Sequence, residues 1–465
     1  MTMLGLSPGD VTPGILALLG VMVVGAAMGW IMVSAHPLVP FGVFVAVAGA
    51  LALVSSPFAT MLGFIAVLTI RPAELMPALE PLMLGKLTMA GAILYAVLTR
   101  FVKRDLSIAK SGMNPYMLWL TVGVAVSTAL STERQVSLIM FTDVFVKIVV
   151  LYLLILNLTD TVRRAIALQV ALATFSGFIG AYTIYSKLTS EVLVEGTRAA
   201  GVGMLGDPND TALTLLLVTP FLIAAVLETR GVRRAPFVVL LGLTLGGIIA
   251  TQSRGGLLGL VAGAVVLVRQ RTRSRAVLLG ISVVLALGLA IVAGVAERKG
   301  LDTGRLDESA EGRLVAWKAA FRMLSDHPLF GVGFEAFSFQ FMNFATSSTM
   351  ELKPMAAHNS YVLPLAEVGL FGSIPFFVLL GISAKLAFGF MQRAPAAAPG
   401  LERALLQGYA GNLVAVLVSS FFLSQTWMWF IYILLGQAAA MARIYDLRFS
   451  TRALLGRALS PRVQR

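Results

Sequence analysis

His358 stands in Ala-His-Asn-Ser-Tyr at 357–361, where a polar stretch that begins near Arg313 turns back into apolar sequence. At the start of an apolar helix and near arginines, an imidazole is held neutral, because the positive end of the helix dipole and the guanidinium charges both oppose protonation. A neutral imidazole at a membrane surface can take a proton from a hydroxyl group. Three arginines have the surroundings of anion ligands. Arg254 lies in Thr-Gln-Ser-Arg-Gly-Gly, where glycines allow close backbone approach and leave the guanidinium able to fork onto a phosphate. Arg198 lies in Thr-Arg-Ala-Ala-Gly-Val-Gly, shortly before Gly-Asp-Pro-Asn-Asp at 206–210, and Arg313 opens an amphipathic segment. Plainer roles stand beside these: an interfacial anchor for Arg254, and a surface ion pair with Glu311 or Asp307 for Arg313.

Other polar groups have mainly structural readings. Asp207, Asn209 or Asp210 can cap the helix that follows them. Asp143 and Lys147, four apart in an apolar run, fit an ion pair on one helix face, although a buried lysine could also reach a lipid phosphate. His36 and His327 each precede proline, where turn or capping roles suffice. The absence of cysteine excludes disulfides and thiolate chemistry. Two-histidine metal spacing is also lacking, so no metal and no cofactor is expected, and Asp207 with Asp210 is the one place for a hard cation.

The elements that must position these groups are membrane helices. Hydrophobic residues form 58% of the chain and charged ones 13%, against about half and a quarter in soluble domains. Apolar runs long enough to cross a bilayer recur at 14–33, 38–56, 58–70, 86–102, 115–131, 137–157, 162–185, 211–229, 235–250, 255–269, 276–295, 361–391, 404–423 and 425–443. Two of them are short and the run at 361–391 is long enough to be broken, so an all-α polytopic protein with 12–14 spans is expected. The first run lacks a preceding basic residue and a clear cleavage site, which reads as a retained span. With the N-terminus inside, most Lys and Arg fall in inner loops or in the tail, including the cluster from Arg269 to Arg275. The net charge of +13 therefore reports topology rather than nucleic acid. Residues 1–465 form one transmembrane domain, with an external insert at 296–360. Inside it, Leu314, Trp317, Phe321 and Leu324 recur at helical spacing, which predicts an amphipathic helix on the outer membrane face with Trp317 at headgroup depth. Phe334, Phe337, Phe341 and Phe344 form a second stripe, read as packing against the bundle or lipid.

At these residues the chain resembles the O-antigen ligase and O-antigen polymerase superfamily. The resemblance runs through Arg198 and the Asp-Pro-Asn-Asp loop, Ser253 to Gly256, Gly312 to Trp317, Asp326 to Gly333, and His358 to Tyr361 with Glu367 and Gly369. It implies a GT-C-like glycosyltransferase in the bacterial cytoplasmic (inner) membrane, with its active site facing the periplasm. The donor would be a glycan on a polyprenyl (undecaprenyl) diphosphate, and the acceptor a hydroxyl such as that of lipid A core, without metal or nucleotide sugar. His358 becomes the catalytic base and Arg198, Arg254 and Arg313 the diphosphate ligands, with Asn209, Asn359, Tyr361, Glu367 and Lys147 in support. Alternative readings are an O-antigen or exopolysaccharide polymerase, a protein O-glycosylation ligase, and a polysaccharide-lipid transporter or flippase. Transporters more often show repeats and interrupted midplane helices around their charges.

Overall fold

The structure, a computed structural model, describes residues 56–75, 77–102, 107–190, 193–194, 197–201, 205–272, 274, 280, 308–346, 352–394 and 400–447. The expected span 14–33, nearly all of 38–56 and of 276–295, His36 and the first part of the insert lie outside them. The chain divides into two compact units, residues 1–107 and 108–465. In the first, α1 (Pro57–Ile70) packs on α3 (Leu84–Val102), with α2 (Pro72–Leu75) and a 3-10 turn between. Ser56 caps α1 through the N–H of Ala59, and Arg71 in the left-handed region ends it.

The second unit carries the residues singled out above. It contains α4 (Asn114–Leu130), α5 (Arg134–Met140), a π-helical turn (Phe141–Phe145), α6 (Val146–Leu158) and α7 (Val162–Thr189). A two-residue hairpin follows, β1 (Leu193–Val194) with β2 (Arg198–Ala199). Next come α8 (Pro208–Leu216), α9 (Thr219–Glu228), α10 (Ala235–Thr251) and α11 (Arg254–Arg271). The insert supplies α12 (Glu308–Asp326) and α13 (Phe337–Phe344), and α14 (Val362–Arg393), α15 (Leu401–Ser420) and α16 (Trp429–Ile444) complete the unit.

The protein is an all-α polytopic membrane protein. Among the described residues, six helices are long and apolar enough to cross a membrane: Leu79–Val102, Arg134–Leu158, Val162–Thr189, Pro208–Glu228, Gly231–Thr251 and Val362–Arg393. Helix contacts rely on small residues, because lipid offers no hydrophobic drive for helices to associate and close approach must provide the attraction. Gly259 and Gly263 on α11 show this: a β-carbon on Gly259 would lie 2.5 Å from the Ala415 carbonyl oxygen, and one on Gly263 would lie 2.9 Å from that of Gly411. That intimate α11–α15 contact fixes where α11 begins, and so where Arg254 stands.

The insert's first described helix packs on the protein through its small residues. On α12 the buried residues are Val315, Ala316, Ala319, Ala320 and Met323, turned toward α14, while Leu314 and Phe321 are exposed. Alanines allow the helix backbone to sit close, so the small side chains face the protein. Trp317 does not serve as a headgroup anchor alone: its indole N–H donates to the carbonyl of Ala357 at 3.0 Å, and its ring meets Phe421 edge-on. The phenylalanine stripe is core for most of its length, with Phe334, Phe337 and Phe341 buried.

Candidate active site

Three helix starts and two loops bring the sequence candidates together. Asp207 caps α8, its carboxylate accepting the Asn209 N–H at 2.6 Å, and Pro208 occupies the first turn, where its missing donor costs nothing. The cap leaves the Asn209 side chain directed elsewhere. Its Oδ1 accepts from Arg198 Nη2 at 2.9 Å and from the Ser253 hydroxyl at 2.7 Å. Arg198 Nε also donates to the carbonyl of Thr251 at 3.2 Å, at the end of α10, where the helix dipole favours a cation. Ser253 caps α11 by accepting the Gly256 N–H at 3.1 Å, and Arg254, the first residue of that helix, is exposed. Asn209 thus ties Arg198 to the helix start that carries Arg254.

His358 lies four residues before α14 rather than at its first turn. Asn359 does the capping, its Oδ1 accepting the N–H groups of Tyr361 at 2.8 Å and Val362 at 3.1 Å. His358 itself has φ +48, the left-handed region that few non-glycine residues enter. It is held there by its own N–H, which donates to the Ser424 hydroxyl at 2.7 Å. Two further bonds fasten the segment: Ser360 Oγ donates to the Leu423 carbonyl at 2.6 Å, and Thr426 Oγ1 donates to the Ser360 carbonyl at 2.7 Å. The Tyr361 hydroxyl donates to the Leu417 carbonyl at 2.5 Å.

Burial lowers the pKa of His358, the positive charge of Arg313 lowers it further, and the negative charge of Asp207 opposes both. The imidazole is therefore held neutral, and the causes show that the charges of Arg313 and Asp207 reach it. A second link joins the loops, because Gln425 Nε2 donates to Asp210 Oδ1 at 2.6 Å, beside the Ser424 that holds His358. The structure thus gathers His358, Arg313, Asp207, Asn209 and Arg198 around one set of loops, with Arg254 at their edge. Chemically, the arrangement offers a neutral imidazole within reach of the Arg313 charge.

Residues 237–377 match a known family model. The family is that of the O-antigen ligases. The O-antigen ligase match takes in Arg254, Arg313, His358 and Glu367, while Arg198 and Asn209 precede it. It supports the O-antigen ligase superfamily and a glycan-transfer role of ligase or polymerase type for this membrane protein. No curated protein matches the chain.

Not every expected residue joins the cluster. Lys147 sits on α6, which packs on α16, and is not among the side chains joined by the contacts above. Glu367 is buried on α14 and bonds to Trp427 rather than to the arginines. Ser424 and Gln425 were missed by sequence reasoning: they lie in an ordinary-looking turn between two apolar helices, and only their distant partners mark them. Among the described residues, no three His, Asp or Glu side chains are grouped to hold a metal ion.

Proposed function

We propose that this protein transfers a glycan from a polyprenyl diphosphate carrier to a hydroxyl acceptor such as lipid A core, at the periplasmic face of the bacterial inner membrane. His358 takes the proton of the acceptor hydroxyl, and the oxygen attacks the anomeric carbon with inversion. The bond from that carbon to the diphosphate oxygen breaks, and the polyprenyl diphosphate leaves with the electron pair. Arg313, Arg198 and Arg254 meet the charge that develops on it, a preorganised electrostatic clamp that contributes most of the acceleration. The observation that carries this reading is the meeting of a neutral-held His358 with Arg313 and the Arg198–Asn209–Ser253 network.

Transfer in proteoliposomes, with a lipid diphosphate-linked glycan and a hydroxyl acceptor, tests it. His358→Ala should abolish transfer while the protein stays folded, and normal transfer by that variant would remove the proposal. Deletion in the source cell separates ligase from polymerase: loss of a ligase leaves long chains on the carrier, and loss of a polymerase leaves single repeats on the acceptor.

A further inference from the structure

The α14 helix is broken within its first two turns, and the break leads to a residue that the transfer chemistry does not use. Gly369 has φ +58 and ψ −165, outside the helical range. The break frees carbonyls upstream of it, and the insert takes them: Val332 N–H donates to Ala366 at 2.9 Å and Gly333 N–H to Glu367 at 3.1 Å. Ser127 adds its hydroxyl to the Glu367 carbonyl at 2.6 Å. Downstream, Leu370 and Phe371 donate back to the carbonyls of Pro328 and Leu329. This zipper orients the Glu367 side chain into the protein, where the residue is only 1% exposed.

There its two oxygens are used separately. Oε1 accepts the N–H of Phe337, the first residue of α13, at 3.2 Å, and Oε2 accepts the indole N–H of Trp427 at 2.6 Å. The backbone of Glu335 bonds to the same carboxylate. Both oxygens of this buried carboxyl thus serve as acceptors, each toward a different element. Trp427 is buried, with Phe145, Phe334 and Phe376 around its ring at centroid distances of 6.0, 5.2 and 6.3 Å. It stands three positions after Ser424. The turn from 423 to 426 is also the one that holds His358 and Ser360, and its Gln425 reaches Asp210.

We infer that Glu367 is a positioning residue: through Trp427 it fixes the 423–427 turn, and that turn holds His358 in its left-handed conformation against the arginine cluster. The inference rests on the transfer reaction proposed above for its kinetic part, but the positioning itself can be read without activity. In this scheme Glu367 touches neither substrate nor reacting atoms. It sets the geometry in which His358 faces the acceptor hydroxyl, while diphosphate binding depends on the arginines and Asn209.

Trp427→Phe tests it with the least disturbance, since it removes the indole N–H and keeps an aromatic ring in the cage. The expected result is a kcat at least tenfold lower, with the KM for the lipid-linked donor within about twofold of wild type. Glu367→Gln should act in the same direction, because its amide NH2 must turn toward one of the N–H donors. The double variant should be no worse than the more damaged single one, since both break one bond. Independently of turnover, carbethoxylation of His358 by diethyl pyrocarbonate, measured by peptide mass spectrometry against His327 as internal reference, should be several-fold faster in Trp427→Phe. Wild-type labelling of His358 in a folded Trp427→Phe protein would overturn the inference, as would losses that simply add in the double variant. Absence of transfer by the wild-type protein would count against the proposed function, and the labelling ratio would still decide the positioning.

Discussion

Glu335 offers a measurement whose sign and size follow from its surroundings. It lies in the insert at the start of the turn into α13, beside Glu367, with a left-handed φ of +56. Burial pushes its carboxyl from an ordinary 4.5 up to about 7. Below pH 4.5 the group is protonated in both folded and unfolded chains and contributes no pH dependence. Between 4.5 and about 7 the unfolded chain releases the proton while the folded protein keeps it, so stability falls as pH rises. Above about 7 the loss is complete; it belongs to the buried Glu335 and Glu367 pair together and is on the order of a few kcal/mol. Glu335→Gln cannot ionise and escapes this penalty. Relative to wild type, the variant should gain stability between pH 4 and pH 8, seen as a rise of a few degrees in its Tm difference for the detergent-solubilised protein. A Tm difference that is the same at both pH values, or that moves in the opposite direction, would refute the assignment of Glu335 as a buried neutral acid.

The remaining predictions concern the site and its frame. Arg313→Gln removes a positive charge that lowers the His358 pKa, so besides slowing transfer it should move the acid limb of the pH–rate profile to higher pH. An unmoved limb would disconnect the two residues. Asn209→Ala takes the acceptor from both Arg198 and Ser253; with about 1 kcal/mol for each lost bond, the donor KM should rise up to roughly thirtyfold, read from initial rates. Gly369→Ala should reduce stability by about 1–3 kcal/mol or more, because its β-carbon would lie 2.5 Å from Leu329 at a left-handed φ; the yield and Tm of the purified protein measure this.

What the amino-acid pattern made legible was local. Apolar runs identified most described helices, and short-range chemistry narrowed the cap of α8 to Asp207, Asn209 or Asp210, of which the structure uses Asp207, and put Arg254 at the start of α11. The arginines and His358 stood out because charge is costly in such a chain, and the fold places several of them within reach of one another. The supports of His358 were not legible, for a physical reason. Ser424 is 66 positions from His358 and Trp427 is 60 from Glu367, and no periodic signal spans such separations. The apolar stripe of α12 was legible, but the face that packs on the protein was not, because small residues carry it. In a closely packed membrane helix Ala316, Ala319 and Ala320 do the burying, and Leu314 and Phe321 can face outward. The length of the 361–391 run already pointed to a break, but one glycine in an apolar run does not reveal that it falls at Gly369.

The left-handed φ of His358 also governs how a dead enzyme should be made. Outside glycine, asparagine, aspartate and histidine tolerate that region best, while β-branched residues resist it. His358→Val would therefore remove the base and also reshape the loop that Ser424 and Asn359 hold, mixing two lesions in one protein. His358→Asn keeps a polar side chain suited to the same backbone and lacks the imidazole. It is the variant in which a lipid-linked donor should still bind without turning over, and so the one in which to trap the loaded protein.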